Sequence, residues 1–436
     1  MEHWNRGTVE PNAAIDAVWK IESAKLIAAL VRVTRDVGLA EDLAQDALVA
    51  ALEQWPAEGI PRNPAAWLMA IAKRRGIDHF RHHTLAEHKH QQLVHEVATH
   101  HVPDFDAALE DEVGDDLLRL IFTACHPVLP TEARVALTLK LLAGFTTPEI
   151  ARAFLAPEPT IQQRIVRAKR TLADKKVPYE VPAGPELAVR LASVLEVIYL
   201  IFNEGYSATA GDDWMRPALC EDAQRLGRVL AGLAPMEPEV HGLVALMEIQ
   251  ASRAAARIGP TGEPVLLLDQ DRRRWNRLLI QRGLAALERA EQLALSGVEG
   301  LGRERGPYTL QAAIAACHAR ASEASHTDWT RIAGLYDALA RLRPSPVVEL
   351  NRAVAHGMAF GPPAGLVIAD RVAHEPMLKD YPYLPGVRGD LLFKLQRFDE
   401  ARQEFLRAAA LTQNESQKKL LLQKAAEADA PGNADP

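Results

Sequence analysis

One stretch constrains this 436-residue chain more than any other: TPEIARAFLAPEPTIQQRIVRAKRTL, residues 147–172. Thr147 with Glu149–Ala151 opens a short helix, a tight connection follows at Leu155–Ala156, and a second helix starts near Glu158 or Pro159, where proline suits a first turn. In that second helix Ile161, Ile165, Ala168 and Leu172 share one face by helical spacing, while Gln163, Val166, Arg167 and Arg170, flanked by Gln162 and Arg164, fall outside it. The pattern predicts a helix-turn-helix with a basic, amide-bearing face. Arg pairs bidentately with guanine, Gln with adenine, and an exposed Val packs on a thymine methyl, so these side chains suit a major groove. The plain alternative is an amphipathic hairpin whose charged face is only solvated.

The rest of the composition points to helices. Aromatics are 6% of the chain and Ala and Leu dominate the 48% hydrophobic content, which favours helix over strand. The expected fold class is all-α. Cys125, Cys220 and Cys317 are far apart with no CxxC pair, which argues against a disulfide framework or cysteine zinc site and fits a reducing cytoplasm. The start MEHWNRGTVEPNAA lacks signal-peptide character, and no stretch approaches the ~20 apolar residues of a membrane span.

Charge divides the chain. Residues 62–90 carry a local +4, residues 91–116 a local −8 with no Lys or Arg, and residues 117–176 a local +6. Residues 177–436 are nearly balanced, with 29 Lys/Arg and 33 Asp/Glu. Two basic modules joined by an acidic connector suggest two separate nucleic-acid contacts. Proline-rich breaks at 56–64 and 177–186 mark loops, which gives a first module at 1–85, a linker at 86–116, a second module at 117–176, a short linker at 177–186 and a helical body at 187–436.

In the first module, EDLAQDALVAALEQW predicts a helix that starts near Leu39 and ends before Pro56, and a further helix runs from about Ala65 to Phe80, with Trp67, Ala70, Ile71 and the Arg74 stem on one face. Asp42, Gln45, Asp46 and Glu53 give the first of these an acidic, amide-bearing side able to dock a basic protein surface. Lys73, Arg74, Arg75 and Arg81 surround the second and can neutralise phosphates.

Both modules resemble the extracytoplasmic-function (ECF) sigma factors of bacterial RNA polymerase over roughly residues 14–176. The run "DLxQExF…WLxxIAxNxxxDxxR" is matched by Asp42, Leu43, Gln45, Asp46, Trp67, Leu68, Ile71, Ala72, Asp78 and Arg81, and "EIAxxL…TVxxRLxRAxxxL" by EIARAF…TIQQRIVRAKRTL. The chain departs at Leu48, where an aromatic is usual, at Arg74, which replaces asparagine, and at Leu155, which stands at the usual glycine of the turn. The resemblance implies that Asp42, Gln45 and Asp46 grip the clamp of the polymerase largest subunit and that the flap region is a further contact. It also implies that the second helix reads the −35 element, that Arg62 and Asn63 capture an unstacked −10 base, and that the acidic connector occupies the polymerase nucleic-acid channel.

The body after residue 186 carries repeat signals. Gly389, Ala401, Phe405 and Ala408 stand at tetratricopeptide offsets, and Tyr336 lies 69 residues before Phe405, about two ~34-residue periods. A further repeat is expected around ELNRAVAHG and GLVIADRVA. At 196–216, Asn203, Glu204, Gly205 and Tyr206 follow an apolar run, as a helix terminus with Tyr206 packing back, as a small-ligand pocket, or as a contact with the first two modules.

No nucleotide-loop, nucleophile-elbow or zinc-protease motif occurs, so neither catalysis nor a cofactor is expected. Eight of the fifteen histidines fall between His79 and His101, but their spacing in a polar segment reads as solvated rather than metal-binding. The leading expectation is a sigma factor with partners in core polymerase and promoter DNA, regulated by its own extension. A stand-alone helix-turn-helix regulator with a sensing repeat domain is the alternative, and an enzyme or scaffold built on the repeats a third.

Overall fold

The computed structural model describes residues 11–91, 113–154, 156–206, 215–260, 265–296, 305–412 and 415–429. Its described elements are helical, in two compact units, residues 1–198 and 199–436.

The first unit begins with α1 (Pro11–Thr34), α2 (Val37–Glu58) and α3 (Pro64–Gln91). Asp36 starts α2 by accepting the Leu39 N–H at 2.9 Å, as an N-cap should. Ile27, Leu30 and Val31 of α1 meet Leu43, Ala47 and Ala51 of α2 and Leu68 and Ala72 of α3 in a buried core. Here three expectations change. Pro56 lies inside α2, in its last turn, and the helix closes through Gly59 N–H to Trp55 O at 2.9 Å. Helix α3 continues to Gln91. Its buried line is Leu68 and Ala72, with Trp67 and Ile71 half-buried and Ala70 and Arg74 exposed, a rotation of about one residue from the expected face.

The second module follows as α4 (Val113–Ala124), α5 (Thr131–Leu141), α6 (Thr147–Ala153) and α7 (Glu158–Asp174). Thr147 opens α6, as its sequence predicts, and Thr146 caps it. The Thr146 hydroxyl accepts from Glu149 N–H while the Glu149 carboxylate accepts the Thr146 N–H at 2.7 Å, a capping box. Burial opposes ionisation of Glu149, yet the Thr146 N–H and hydroxyl hold its carboxyl below the usual range.

Helix α8 (Pro185–Tyr206) lays its first half on this module. Arg190 donates to the carbonyl of Phe122 at 3.1 Å and Ser193 to that of Cys125 at 2.5 Å, so both satisfy carbonyls at the C-terminal end of α4. Arg134 of α5 donates to Ser193 and, at 3.1 Å, to Glu196.

The second unit holds the rest of α8 and then α9 (Pro217–Leu233), α10 (Pro238–Ala251), α11 (Arg277–Leu295), α12 (Pro307–Arg320), α13 (Trp329–Leu342), α14 (Pro346–Phe360), α15 (Pro362–Val372), α16 (Tyr383–Lys394), α17 (Phe398–Leu411) and α18 (Glu415–Asp429). Successive helices from α13 onward pack on one another. The repeat positions explain the pairing: a Cβ on Gly389 of α16 would come within 2.6 Å of the Phe405 ring of α17. The expected intermediate repeat is α14–α15, where a Cβ on Gly365 would meet the Ala353 carbonyl at 2.5 Å. Among the described residues, no helix is long and apolar enough to cross a membrane.

Candidate nucleic-acid interface

Helix α7 separates its residues as the sequence requires. Ile161, Ile165, Ala168 and Leu172 are buried against the module core. Gln162, Gln163, Val166, Arg167 and Arg170 are exposed, and Arg164 is half-buried at the edge. Val166, 58% exposed, is an apolar side chain offered to solvent amid polar neighbours. Five residues of three chemistries, amide, apolar and guanidinium, thus form one continuous strip, with Arg170 only loosely tied to Asp174 at 3.5 Å. Leu155, in the connection before this helix, lies outside the described residues.

In the first module Asp42 and Asp46 are exposed and Gln45 is half-buried on α2. Burial pushes the Asp42 carboxyl up, against the opposing pull of Lys169. Gln45 donates to Glu41 at 2.7 Å, so part of its amide is already engaged. The loop between α2 and α3 exposes Arg62 and Asn63. The Asn63 carbonyl oxygen accepts from Ala66 N–H at 3.1 Å, which leaves its amide nitrogen to face outward. Trp55 and Trp67 pack edge-on at 5.2 Å and fix the base of this loop. Arg74, Arg75 and Arg81 are exposed along α3 and Lys73 is half-buried.

The modules touch. Lys169 of α7 is ion-paired with Glu41 of α2, and Lys140 of α5 approaches the same carboxylate at 3.5 Å. Arg32 of α1 meets Asp116 of α4 at 2.9 Å. The Tyr179 hydroxyl lies 2.8 Å from the carbonyls of both Ala28 and Asp116. Sequence reasoning missed Glu41, Lys169, Asp116 and Tyr179; the one available signal was an acid inside an otherwise apolar helix face. Asp116 had been counted with the acidic connector, whose residues 92–112 lie outside the described residues, as does the His95–His101 run.

Comparison with known proteins follows the same division. The sigma-70 region 2 family matches residues 22–85 and the sigma-70 region 4 family matches residues 119–172. The chain belongs to the ECF sigma factors. A family of unknown function, DUF6596, matches residues 190–291 of this sigma factor's extension. The Rhizobium meliloti (strain 1021) protein "Uncharacterized protein R00370" is 44% identical over 89% of this chain and 90% of its own length. The probable ECF RNA polymerase sigma factor SigI of Mycobacterium tuberculosis is 25% identical over 40% of this chain, and the match spans 60% of SigI. The ECF RNA polymerase sigma factor SigC of the same species is 29% identical over 31% of this chain and 70% of SigC. No solved structure matches the chain. A region 2 match at residues 22–85 disfavours the stand-alone regulator, which has no use for that module.

In the extension, Asn203–Tyr206 are placed by contacts within the second unit. Gly205 does not end its helix through an unusual backbone angle. It is small because a Cβ there would meet Cys220 N at 2.6 Å where α9 crosses. Glu204 pairs with Arg216, and Tyr206 stacks on Phe202 at 5.6 Å.

Proposed function

We propose that this sigma factor directs core RNA polymerase to specific promoters by reading the −35 element with α7 and the −10 element with the α2–α3 loop and α3. The exposed strip of Gln162, Gln163, Val166, Arg167 and Arg170 over a fully buried opposite face carries the reading. Arg164 at its edge serves the phosphates. Arg62 and the Asn63 amide nitrogen would hold an unstacked −10 base, while Lys73, Arg74, Arg75 and Arg81 follow the strand backbone. Asp42, Gln45 and Asp46 would dock the largest-subunit clamp, with the flap as a second polymerase contact, and the polymerase does the chemistry. This is work on DNA in the cytoplasm.

Reading both elements requires the modules to part. Elements about 25 base pairs apart lie roughly 85 Å apart on B-DNA at about 3.4 Å per step. In the free chain Lys169 touches Glu41. The free chain is therefore a closed form whose ion pairs at Glu41 and Asp116 exchange for polymerase and DNA contacts.

The extension would set this activity by an intramolecular contact. The seating of Arg190 and Ser193 on the α4 carbonyls supports a physical tether. Transcription in vitro with core polymerase tests the whole reading, using full-length chain and truncations after Lys176 and after Ile198. Promoter-specific transcripts from full-length chain are expected. More transcript from the truncated forms means inhibition by the extension; loss only after Lys176, with the fold intact, means that the first half of α8 is a required support. No promoter-specific transcript from any form would overturn the assignment.

A further inference from the structure

The extension stacks arginines and aromatic rings in alternation. The Arg257 guanidinium carbon lies 3.7 Å from the Tyr206 ring centre. Arg253 stands between two rings, 5.8 Å from Tyr206 and 6.0 Å from Trp275. Arg272 lies 4.8 Å from Trp275. Rigid backbone holds each group: Tyr206 ends α8, Arg253 and Arg257 flank a 3-10 turn after α10, and Arg272 opens another before α11. All three arginines are buried at 8% exposure.

Such burial requires compensation. Contact with a ring face offsets only part of the cost of removing an ion from water. Among the described residues, no carboxylate pairs with Arg253 or Arg272. Arg272 donates to the His318 and Ala321 carbonyls and to Thr327 at 3.2 Å, all neutral acceptors. The acids of this unit with low exposure are engaged elsewhere: buried Glu204 with Arg216, buried Glu248 with Arg228, and half-buried Glu239 with the N-terminal N–H groups of α12.

The cluster also gathers orphaned polar atoms. Among the described residues, Arg253 Nε, Arg272 Nε and Trp275 Nε1 are buried donors with no acceptor. Buried donors are almost always paired, so several together point to a missing acceptor. The same positive field, after burial, holds His318 at about 4, so that this ring adds no charge.

We propose that Arg253 and Arg272, with Arg257 beside them, form a binding site for a phosphate group in the extension. Planar guanidinium forks match phosphate oxygens, and a dianion answers more than one of the buried charges. Tyr206 and Trp275 hold the forks in place. The site makes the extension responsive to a phosphate-bearing small molecule, and its test reads binding rather than transcription, so its failure leaves the sigma assignment intact.

Calorimetric titration of the full chain with inorganic phosphate and with a sugar phosphate monoester, in chloride buffer of matched ionic strength, is the experiment. Saturable binding at one site is expected, weakened at least about tenfold in Arg253→Met, the loss of one charge-assisted hydrogen bond, and unchanged in the surface variant Arg402→Gln. Tighter binding of the monoester assigns the site to an ester; tighter binding of phosphate assigns it to the free ion. Without phosphate, Arg253→Met should melt no lower than wild type, because it removes an unpaired buried charge. If Arg253→Met fails to fold, Arg272→Lys, which keeps charge but loses the fork, carries the same test. No saturable binding, or equal binding by the variants, would each overturn the proposal.

Discussion

Lys169, next to Arg170 on the exposed strip of α7, is ion-paired with Glu41, which is 3% exposed within the first module. With Lys140 at 3.5 Å and Gln45 at 2.7 Å, Glu41 gathers three partners from three helices at the seam between the modules. A buried carboxylate so surrounded depends on its nearby cations to offset the cost of its burial.

Glu41→Gln should therefore loosen the closed form. Removing one partner of a buried pair strands the other charges and costs about 3 kcal/mol. Denaturant unfolding should show that loss, and small-angle scattering should show a larger free chain. Transcription with core polymerase should rise or hold, as the proposed activity of an open form requires. A variant as compact and stable as wild type would show that the pair does not hold the modules together.

On the reading face, Arg167→Ala and Gln163→Ala should each weaken −35 recognition by about 1–3 kcal/mol if each contacts a base edge. Both side chains are exposed, so stability should change little. Competition binding on promoter variants, with core polymerase affinity measured in parallel, checks this. Wild-type discrimination in both variants would move recognition to another face.

For the polymerase dock, Asp46→Lys is a cleaner probe than Asp42→Lys. Asp42 feels Lys169, so its reversal also disturbs the module seam, whereas Asp46 is simply exposed. Asp46→Lys should weaken core association by placing like charge against a basic surface, and more so at low salt. Unchanged affinity across a salt series would place the dock elsewhere.

Gly205→Ala tests the helix crossing in the extension. The added Cβ would meet the backbone nitrogen of Cys220 at 2.6 Å and its sulfur at 2.9 Å. Backbone does not yield as a side chain does, so a loss of about 1–3 kcal/mol is expected. Thermal unfolding of the full chain measures it.

Local patterns were legible in the sequence. Apolar spacing placed α7 and its outward residues, because a helix fixes which side chains share a face. The repeat offsets placed Gly389 against Phe405, because that packing requires a small residue opposite a large one. The face of α3 was misplaced because Trp67 and Ile71 are only half-buried while Ala72 and Leu68 carry the core, and small residues give periodicity little weight. The seam was not legible. Glu41 pairs with Lys169, and Tyr179 reaches the Ala28 carbonyl 151 residues earlier, and no local spacing announces a pairing across modules.

His318 makes the last prediction, on acid stability. It is 7% exposed, and burial followed by Arg253 and Arg272 lowers its pKa from 6.5 to about 4. The folded chain therefore keeps the ring neutral where the unfolded chain protonates it. Between pH 6.5 and pH 4 the unfolded state binds more protons, so acid favours unfolding. The contribution is fully present above pH 6.5 and is lost as pH falls toward 4, to a total of about 3 kcal/mol at about 1.4 kcal/mol per pH unit. His318→Gln removes the titrating ring. Its stability relative to wild type should improve steadily as pH is lowered through that window, whatever its offset at pH 7. Carboxylates titrate in the same range but are common to both proteins and cancel in the difference. Denaturant unfolding at intervals between pH 7 and pH 4 gives that difference, and a flat difference across the window would mean that His318 is not held neutral by its arginine neighbours.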